Sequence, residues 1–329
     1  MEQKKKRVSV IGATGAVGKE IVRLLIEREF PFSTLRLFAS PKSLGKKIHS
    51  IPVETLEELD STDLAFFCAG SAISKQWIPN AKCICIDSSS AFREQAPLII
   101  PEINPHAIKG NLITSPNCAA TILLMPLFRL HRLFRVKRII VSTYQAASGG
   151  GEKLMEDLKE ETHAFLENRS VSHSLPFPYA FNLYSHNSKL HPNGYVEEEM
   201  KMLFETRKIL EDNEIQMSAT CIRVPVLRAH SLSVNVEFHK PFSLDTVYST
   251  LADVPGLSIF ENREQNRFVT PIDASGKDEV FCSRFRIDPS QPNTLEFWAV
   301  GDQLLKGAAL NAVQIGELLT QPSIFSISK

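Results

Sequence analysis

A cysteine stands at the head of an apolar run in SPNCAATILLMPLF, residues 115–128. Two readings compete for Cys118. A thiol is a good small core residue. A thiol at a helix start also feels the positive end of the helix dipole, which favours the thiolate needed for nucleophilic catalysis. Its company matters. Gln145 closes RIIVSTYQ just before the glycine-rich AASGGG, and a carboxamide there donates a hydrogen bond without bringing charge. His230 opens HSLSVNVEF and has the parity of Leu232, Val234, Val236 and Phe238, so its imidazole faces either the core or a site. Arg223 stands seven residues before it. Glu198 and Lys201, in VEEEMKMLFETRKIL, share one face of an expected helix at i and i+3, the pattern of a solvated ion pair.

These groups need elements to hold them. RVSVI (7–11) reads as a short buried strand, GATGAVG as a turn, and KEIVRLLIE as a helix with Ile21, Val22, Leu24 and Leu25 on one side. Strand, glycine turn and helix form a dinucleotide-binding unit. Gly12, Gly15 and Gly18 let backbone amides approach a pyrophosphate at the helix start. The next strand, TLRLFAS, ends in Ser40, Pro41, Lys42 and Ser43. It offers a cation and hydroxyls where an NAD site usually offers an acid, which favours NADP over NAD. DLAFFCAG (63–70) and KCICIDSS (82–89) read as further buried strands, the second with Cys83 and Cys85 on one face. A first domain is expected over residues 1–117. RIIVSTY, SATCIRVPV and HSLSVNVEF supply strands beyond it, and VEEEMKMLFETRKIL a helix.

The totals narrow the class. A chain of 329 residues suits two domains. Zero formal net charge gives no sign of a nucleic-acid partner, and the one basic run, Lys4 to Arg7, reads as a solvated leader. No apolar run is long enough for a membrane span, and the N-terminus lacks the apolar segment of a signal peptide, so a cytoplasmic protein is expected. The six cysteines form no CxxC pair, and no His/Cys cluster has zinc spacing; no metal is expected.

GATGAVG, SPNCAAT, TYQAASGGG, EEEMK, RVPVLRAHS and KGAALNAVQ occur in this order. The set resembles the aspartate-β-semialdehyde dehydrogenase family, from residue 7 to about 318. The resemblance implies an α/β chain: a Rossmann-like dinucleotide-binding domain (1–117), then an α+β catalytic and dimerisation domain with a mixed sheet (118–302). A C-terminal helix, about 303–329, would pack back onto the first domain. Cys118 would be the nucleophile, Gln145 the residue orienting the acyl intermediate and His230 the general acid/base. Arg223 would hold the substrate α-carboxylate and Glu198 its amino group. Arg93, in SSSAFR, and Lys201 would bind phosphate, with Asn117 in the same pocket. Gly12, Thr14, Gly15, Ala16, Val17, Gly18, Ser40, Lys42, Ser43, Gly70, Ser148, Gly149 and Gln303 would meet NADP. The substrates would be β-aspartyl phosphate, aspartate semialdehyde and phosphate. The family works as a homodimer or a dimer of dimers, and serves lysine, diaminopimelate, threonine and methionine synthesis.

The chain departs from the family pattern at Lys42, commonly an arginine, at Gln303, commonly an asparagine, and at Leu305, commonly a cation. Lysine keeps the charge but loses the fork geometry. Other readings are an N-acetyl-glutamyl-phosphate reductase, a reductase of CoA thioesters, or a non-catalytic NADP-binding protein. The EExK helix and the R-x6-H spacing argue against the first two, and the presence of Cys118, Gln145, Arg223 and His230 together against the third.

Overall fold

The computed structural model describes residues 5–170 and 174–320. The chain divides into two compact units, one ending at Asn117 and resuming at Ala308, the other running from Cys118 to Gly307.

The first unit opens with β1 (Lys6–Ile11), α1 (Ala16–Glu27) and β2 (Phe32–Ala39). β3 (Lys47–Ile48), β4 (Ile51–Thr55), β5 (Leu64–Phe67), α2 (Ser71–Trp77), β6 (Ile84–Asp87) and β7 (Leu112–Thr114) follow. The sheet order is β3-β4-β2-β1-β5-β6-β7. Every neighbouring pair is parallel except β3 with β4. Val8, Val10, Leu64, Phe66, Phe67 and Ile86 are fully buried, as strands covered on both faces require. Helix α1 buries Ile21, Val22, Leu24 and Leu25, its apolar stripe. Cys83 and Cys85 are both buried with their sulfurs 3.9 Å apart, as two residues on one strand face should be.

The second unit begins at α3 (Cys118–Phe134), whose residues Ala119–Phe128 are buried without interruption. A helix apolar on all sides must be enclosed, and α3 packs against the central strands. Then come β8 (Val136–Gln145), α4 (Glu152–Leu166), β9 (Tyr184–Ser185), α5 (Glu197–Leu210), β10 (Gln216–Arg223) and β11 (His230–Phe238). After α6 (Leu244–Ala252) and β12 (Leu257–Ile259), a small ribbon of β13 (Glu261–Asn262) and β14 (Arg267–Phe268) leads through α7 (Pro271–Ala274). β15 (Val280–Ile287) and β16 (Thr294–Gly301) complete the sheet. Its order is β12-β15-β16-β11-β8-β10-β9. It is mixed: β8 runs parallel to β10 and antiparallel to β11.

The final segment departs from the helix expected from residue 303. The Asp302 carbonyl accepts from the amides of Leu305 (3.1 Å) and Gly307 (3.2 Å), which turns the chain. A single π-helical turn covers Leu305–Ala309, and α8 begins only at Leu310, running to Thr320. The rest of the expected helix, 321–329, lies outside the described residues. Helix α8 belongs to the first unit. There Glu317 pairs with Arg28 (2.7 and 2.9 Å), and Asn311 donates to the Ile99 carbonyl (2.9 Å) and the Ser115 hydroxyl (3.0 Å).

Candidate active site

Strand register assembles the site in the second unit. Gln145 on β8 lies opposite Arg223 on β10, and Tyr144 opposite Ser231 on β11. The ends of β8 and β10 and the start of β11 therefore meet, and Gln145, Arg223 and His230 are all buried there. The Nδ1 of His230 accepts from the Ala146 amide (3.0 Å). A neutral imidazole with Nδ1 accepting carries its proton at Nε2. That Nε2 is buried without a hydrogen-bond partner. Burial, with Arg223 and His186 near, holds the ring well below its ordinary pKa. His230 is thus a neutral donor that meets no acceptor among the described residues.

Arg223 donates from Nη1 to the Ala146 carbonyl (2.8 Å), and its Nη2 lies 3.0 Å from Nε2 of His186. Gln145 donates to Thr143 (3.3 Å) and to the Glu198 carboxylate (3.4 Å). Lys201 lies 3.8 Å from the same carboxylate. The i and i+3 pair on α5 is therefore tied to the strand ends, with Glu198 buried and not on a solvated face.

Cys118 is the first residue of α3 and is partly exposed. Gly307 backs it: a Cβ on Gly307 would stand 2.9 Å from the Cys118 Cβ and 3.3 Å from the Gln303 Cβ. Gln303 accepts from the Ala229 amide (2.9 Å) and donates to the Ser148 hydroxyl. Beside Ser148, a Cβ on Gly149 would stand 2.7 Å from Nη1 of Arg223 and 2.8 Å from Nε2 of His230. Cys118, Gly307, Gln303, Ser148, Gly149, Arg223 and His230 thus form one connected set. Asp302 anchors it, accepting from Arg228 (2.6 Å) and the Gly276 amide (2.6 Å). Two other thiols of this unit are poor thiolates: burial pushes Cys221 up to about 12 and also raises Cys282.

The crowding at Gly149 yields an expected result. Gly149→Ala displaces the guanidinium or the imidazole by a few tenths of an ångström or more. Because catalytic geometry tolerates little misplacement, kcat/KM should fall by up to about a hundredfold. Secondary structure, measured by circular dichroism, should be unchanged.

In the first unit, a cavity of about 560 Å³ is lined by Gly12, Thr14, Gly15, Ser40, Cys68 and Ala69, among others. That is room for a nucleotide portion. Gly12 has φ +96°, and a Cβ there would stand 2.8 Å from the Ala69 nitrogen, so only glycine lets the backbone line the cavity. Ala16, Val17 and Gly18 form the first turn of α1, which carries no acidic residue; the dipole end stays positive toward an anion. Ser43 donates to Thr14 (3.4 Å), while Ser40 and Lys42 are exposed. Gly70 caps α2 with φ +88°. These residues fit a dinucleotide phosphate. Ser148, Gly149 and Gln303, grouped with them by the resemblance, lie in the second unit.

Arg93 and Asn117 belong to the first unit. Arg93 donates to the carbonyls of Ser115 (3.0 Å) and Ser88 (3.1 Å), which fixes it two residues from buried Asn117. Among the described residues no cluster of three or more His, Cys, Asp or Glu could hold a metal, and no helix is long and apolar enough to cross a membrane. Sequence reasoning missed His186, Gly307 and Asp302. Gly307 carried a signal inside the KGAALNAVQ motif, and Asp302 opens the same run, whose departures from the family pattern are at Gln303 and Leu305.

Comparison with known proteins adds to this geometry. Residues 7–111 match the family model described as semialdehyde dehydrogenase, NAD binding domain. Residues 124–306 match the one described as semialdehyde dehydrogenase, dimerisation domain. An aspartate-semialdehyde dehydrogenase of Synechocystis is 45% identical over 329 residues, covering 96% of this chain and 97% of the relative. The crystal structure of aspartate semialdehyde dehydrogenase II from Vibrio cholerae superposes with a TM-score of 0.93 at 37% identity, over 97% of this chain and 100% of that one. The same enzyme complexed with ASA gives a TM-score of 0.93 at 36% identity, over 97% and 99%.

Proposed function

The chain belongs to the aspartate-semialdehyde dehydrogenase family of oxidoreductases, and from that premise we propose that it makes aspartate β-semialdehyde from β-aspartyl phosphate through a thioester on Cys118. The observation that carries this reading is the connected set that joins Cys118 to His230 and Arg223 through Gly307, Gln303 and Gly149.

The Cys118 thiolate attacks the acyl carbon, the acyl–oxygen bond breaks, and phosphate leaves. A thioester accepts hydride more readily than a carboxylate, which is the use of covalent catalysis here. When bound, the reduced nicotinamide of NADPH supplies that hydride. The tetrahedral oxyanion then collapses and expels the thiolate. His230 offers Nε2–H to the anion that develops, a preorganised donor in a buried site. Taking the thiol proton at Nε2 would first require that hydrogen to leave, so the ring's resting role is donation. Arg223 holds the α-carboxylate and Glu198 the amino group. Gln145, tethered to Glu198, orients the acyl group. Arg93, Asn117 and Lys201 receive the phosphate. The protein works as a homodimer in the cytoplasm, consistent with its dimerisation-domain match; a pair of dimers is the larger assembly open to it. It feeds aspartate-family amino-acid synthesis.

The cofactor preference rests on Ser40, Lys42 and Ser43. Reversing one charge near the 2′-phosphate, at about 1 kcal/mol per unit charge in water, should move the NADPH-to-NADH ratio of kcat/KM at least about tenfold for Lys42→Glu. An unmoved ratio places the phosphate contact elsewhere.

The reading is tested by reduction of NADP⁺ with aspartate semialdehyde in the presence and absence of phosphate, beside NAD⁺ and N-acetyl-glutamate semialdehyde. Phosphate-dependent NADPH formation with the aspartate compound supports it. Activity confined to the acetylated compound refutes the assignment of Arg223 and Glu198.

A further inference from the structure

We infer that His186 is a positioning residue for the substrate's carboxylate: its uncharged imidazole holds one arm of Arg223 and leaves the guanidinium charge uncancelled. This rests on the reading of Arg223 as the carboxylate-binding group.

Arg223 is 4% exposed, and a buried cation ordinarily needs a counter-charge. Its hydrogen-bonding partners are instead neutral. Nη1 donates to the Ala146 carbonyl (2.8 Å), Nη2 to the His186 Nε2 (3.0 Å), and Nε is buried without a partner among the described residues. The hydroxyl of Tyr184 on β9 is also buried, makes no well-formed hydrogen bond among the described residues, and lies near enough to the guanidinium to interact with it. Of the buried acids around it, Glu198 is engaged by Gln145 and lies beside Lys201, and Glu161 accepts from the amides of Tyr179 and Ala180. A carboxylate arriving at Arg223 therefore meets an unspent donor and an unneutralised charge, the conditions for a strong charge-assisted pair.

The backbone holds His186 to this task. Tyr184 and Ser185 on β9 pair with Arg223 and Ile222 on β10, and the His186 amide donates to the Cys221 carbonyl (2.8 Å). The imidazole is thus laid beside the guanidinium by the same short ladder. A guanidinium only donates, so Nε2 of His186 must present its lone pair. The Ser188 amide lies 3.2 Å from Nδ1, but a neutral ring has one in-plane lone pair, and the shorter, charge-assisted contact to Arg223 claims it. The charged groups acting on the ring are Glu198, Glu199 and Lys201 of α5, Arg223 of β10, and His230 of β11 if protonated; burial is the largest influence and keeps the ring neutral, below its ordinary pKa.

A glutamate at this position would hold the arm equally well but cancel the charge. A glutamine would offer a neutral acceptor. An alanine would leave Nη2 unbound. These differences define the test, run on the full-length enzyme with aspartate semialdehyde as the variable substrate at saturating NADP⁺ and phosphate. His186→Ala should raise KM roughly tenfold with kcat little changed, the pattern of lost uniform binding. His186→Gln should restore KM to near the wild-type value, and His186→Glu should not. Arg223→Lys serves as the reference. If Arg223→Lys raises KM and His186→Ala does not, the positioning role is wrong while the carboxylate reading stands. If neither raises KM, the carboxylate reading fails and the proposal with it. A His186→Gln enzyme as impaired as His186→Ala also overturns it, since a merely structural residue is not rescued by a matched acceptor.

Discussion

Replacing Cys118 with alanine is expected to abolish turnover, by about four to six orders of magnitude, the scale on which removal of a nucleophile acts. The change is clean because of how the residue is packed. Gly307 lies against the Cβ of Cys118, and alanine keeps that atom. Only the sulfur of a partly exposed side chain is lost, so the fold should persist. The dinucleotide cavity is built from Gly12, Thr14, Gly15 and their neighbours in the other unit. NADPH affinity, measured by fluorescence titration, should therefore survive. A variant that keeps more than a trace of activity would remove Cys118 from the chemistry.

The second large effect is expected at His230. His230→Ala should lower kcat by about a hundredfold to a thousandfold, the usual loss for one preorganised donor. Two conservative variants separate the two ring nitrogens. Asparagine places an oxygen near the Nδ1 position, so it keeps the acceptor for the Ala146 amide but loses the donor. It should be stable and slow. Glutamine reaches the Nε2 position with an N–H, and should recover activity to within about tenfold of wild type. It leaves the Ala146 amide unpaired, at a stability cost of about 1–3 kcal/mol. A proton carrier would behave differently: glutamine cannot shuttle a proton, and would be as slow as alanine.

His230 also makes a prediction about pH. Its folded-state pKa lies well below the ordinary value because the ring is buried. Below a pH of about 6.5, the unfolded chain binds a proton at this residue that the folded chain does not. Stability is therefore lost as pH falls through that value, and His230→Asn should flatten this part of the curve. Denaturant titrations of both proteins between neutral and mildly acid pH provide the check.

How much of this was legible in the sequence depended on whether a feature was local. The glycine turn announced itself because strand, turn and helix are contiguous, and Gly12 does take the positive φ that only glycine readily adopts. The alternation of HSLSVNVEF put His230 on the buried face, and β11 spans those residues, shifting register against β8 only between Glu237 and Phe238. The unbroken apolar run after Cys118 foretold an enclosed helix. Contacts made by register were not legible. Nothing near Ser148 says that it will bond Gln303, or near Gly149 that it will lie against His230. Those meetings arise because the ends of β8 and β10 meet the start of β11. His186 sits in a polar stretch with no periodicity, and gains its meaning only when β9 pairs with β10. The helix expected from about 303 gives way to α8 only at Leu310 because the buried Asp302 turns the chain first, its carbonyl taking the Leu305 and Gly307 amides and its carboxylate the Leu304 amide (3.0 Å), and such a carboxylate looks in sequence like any other acid. The Glu198 and Lys201 pair shows the same limit: spacing gave one helix face, but not that the face is buried.

The most direct measurement of the central claim is a rapid-mixing experiment with enzyme, NADP⁺ and aspartate semialdehyde, phosphate being left out. If the reaction passes through a thioester on Cys118, oxidation of the aldehyde proceeds without phosphate and the acyl group then has no acceptor other than water. A burst of NADPH equal to one per active site should appear, followed by a slow phase that phosphate accelerates. Cys118→Ala should show no burst. A burst that survives in Cys118→Ala, or NADPH formation that waits for phosphate from the first turnover, would contradict the covalent route.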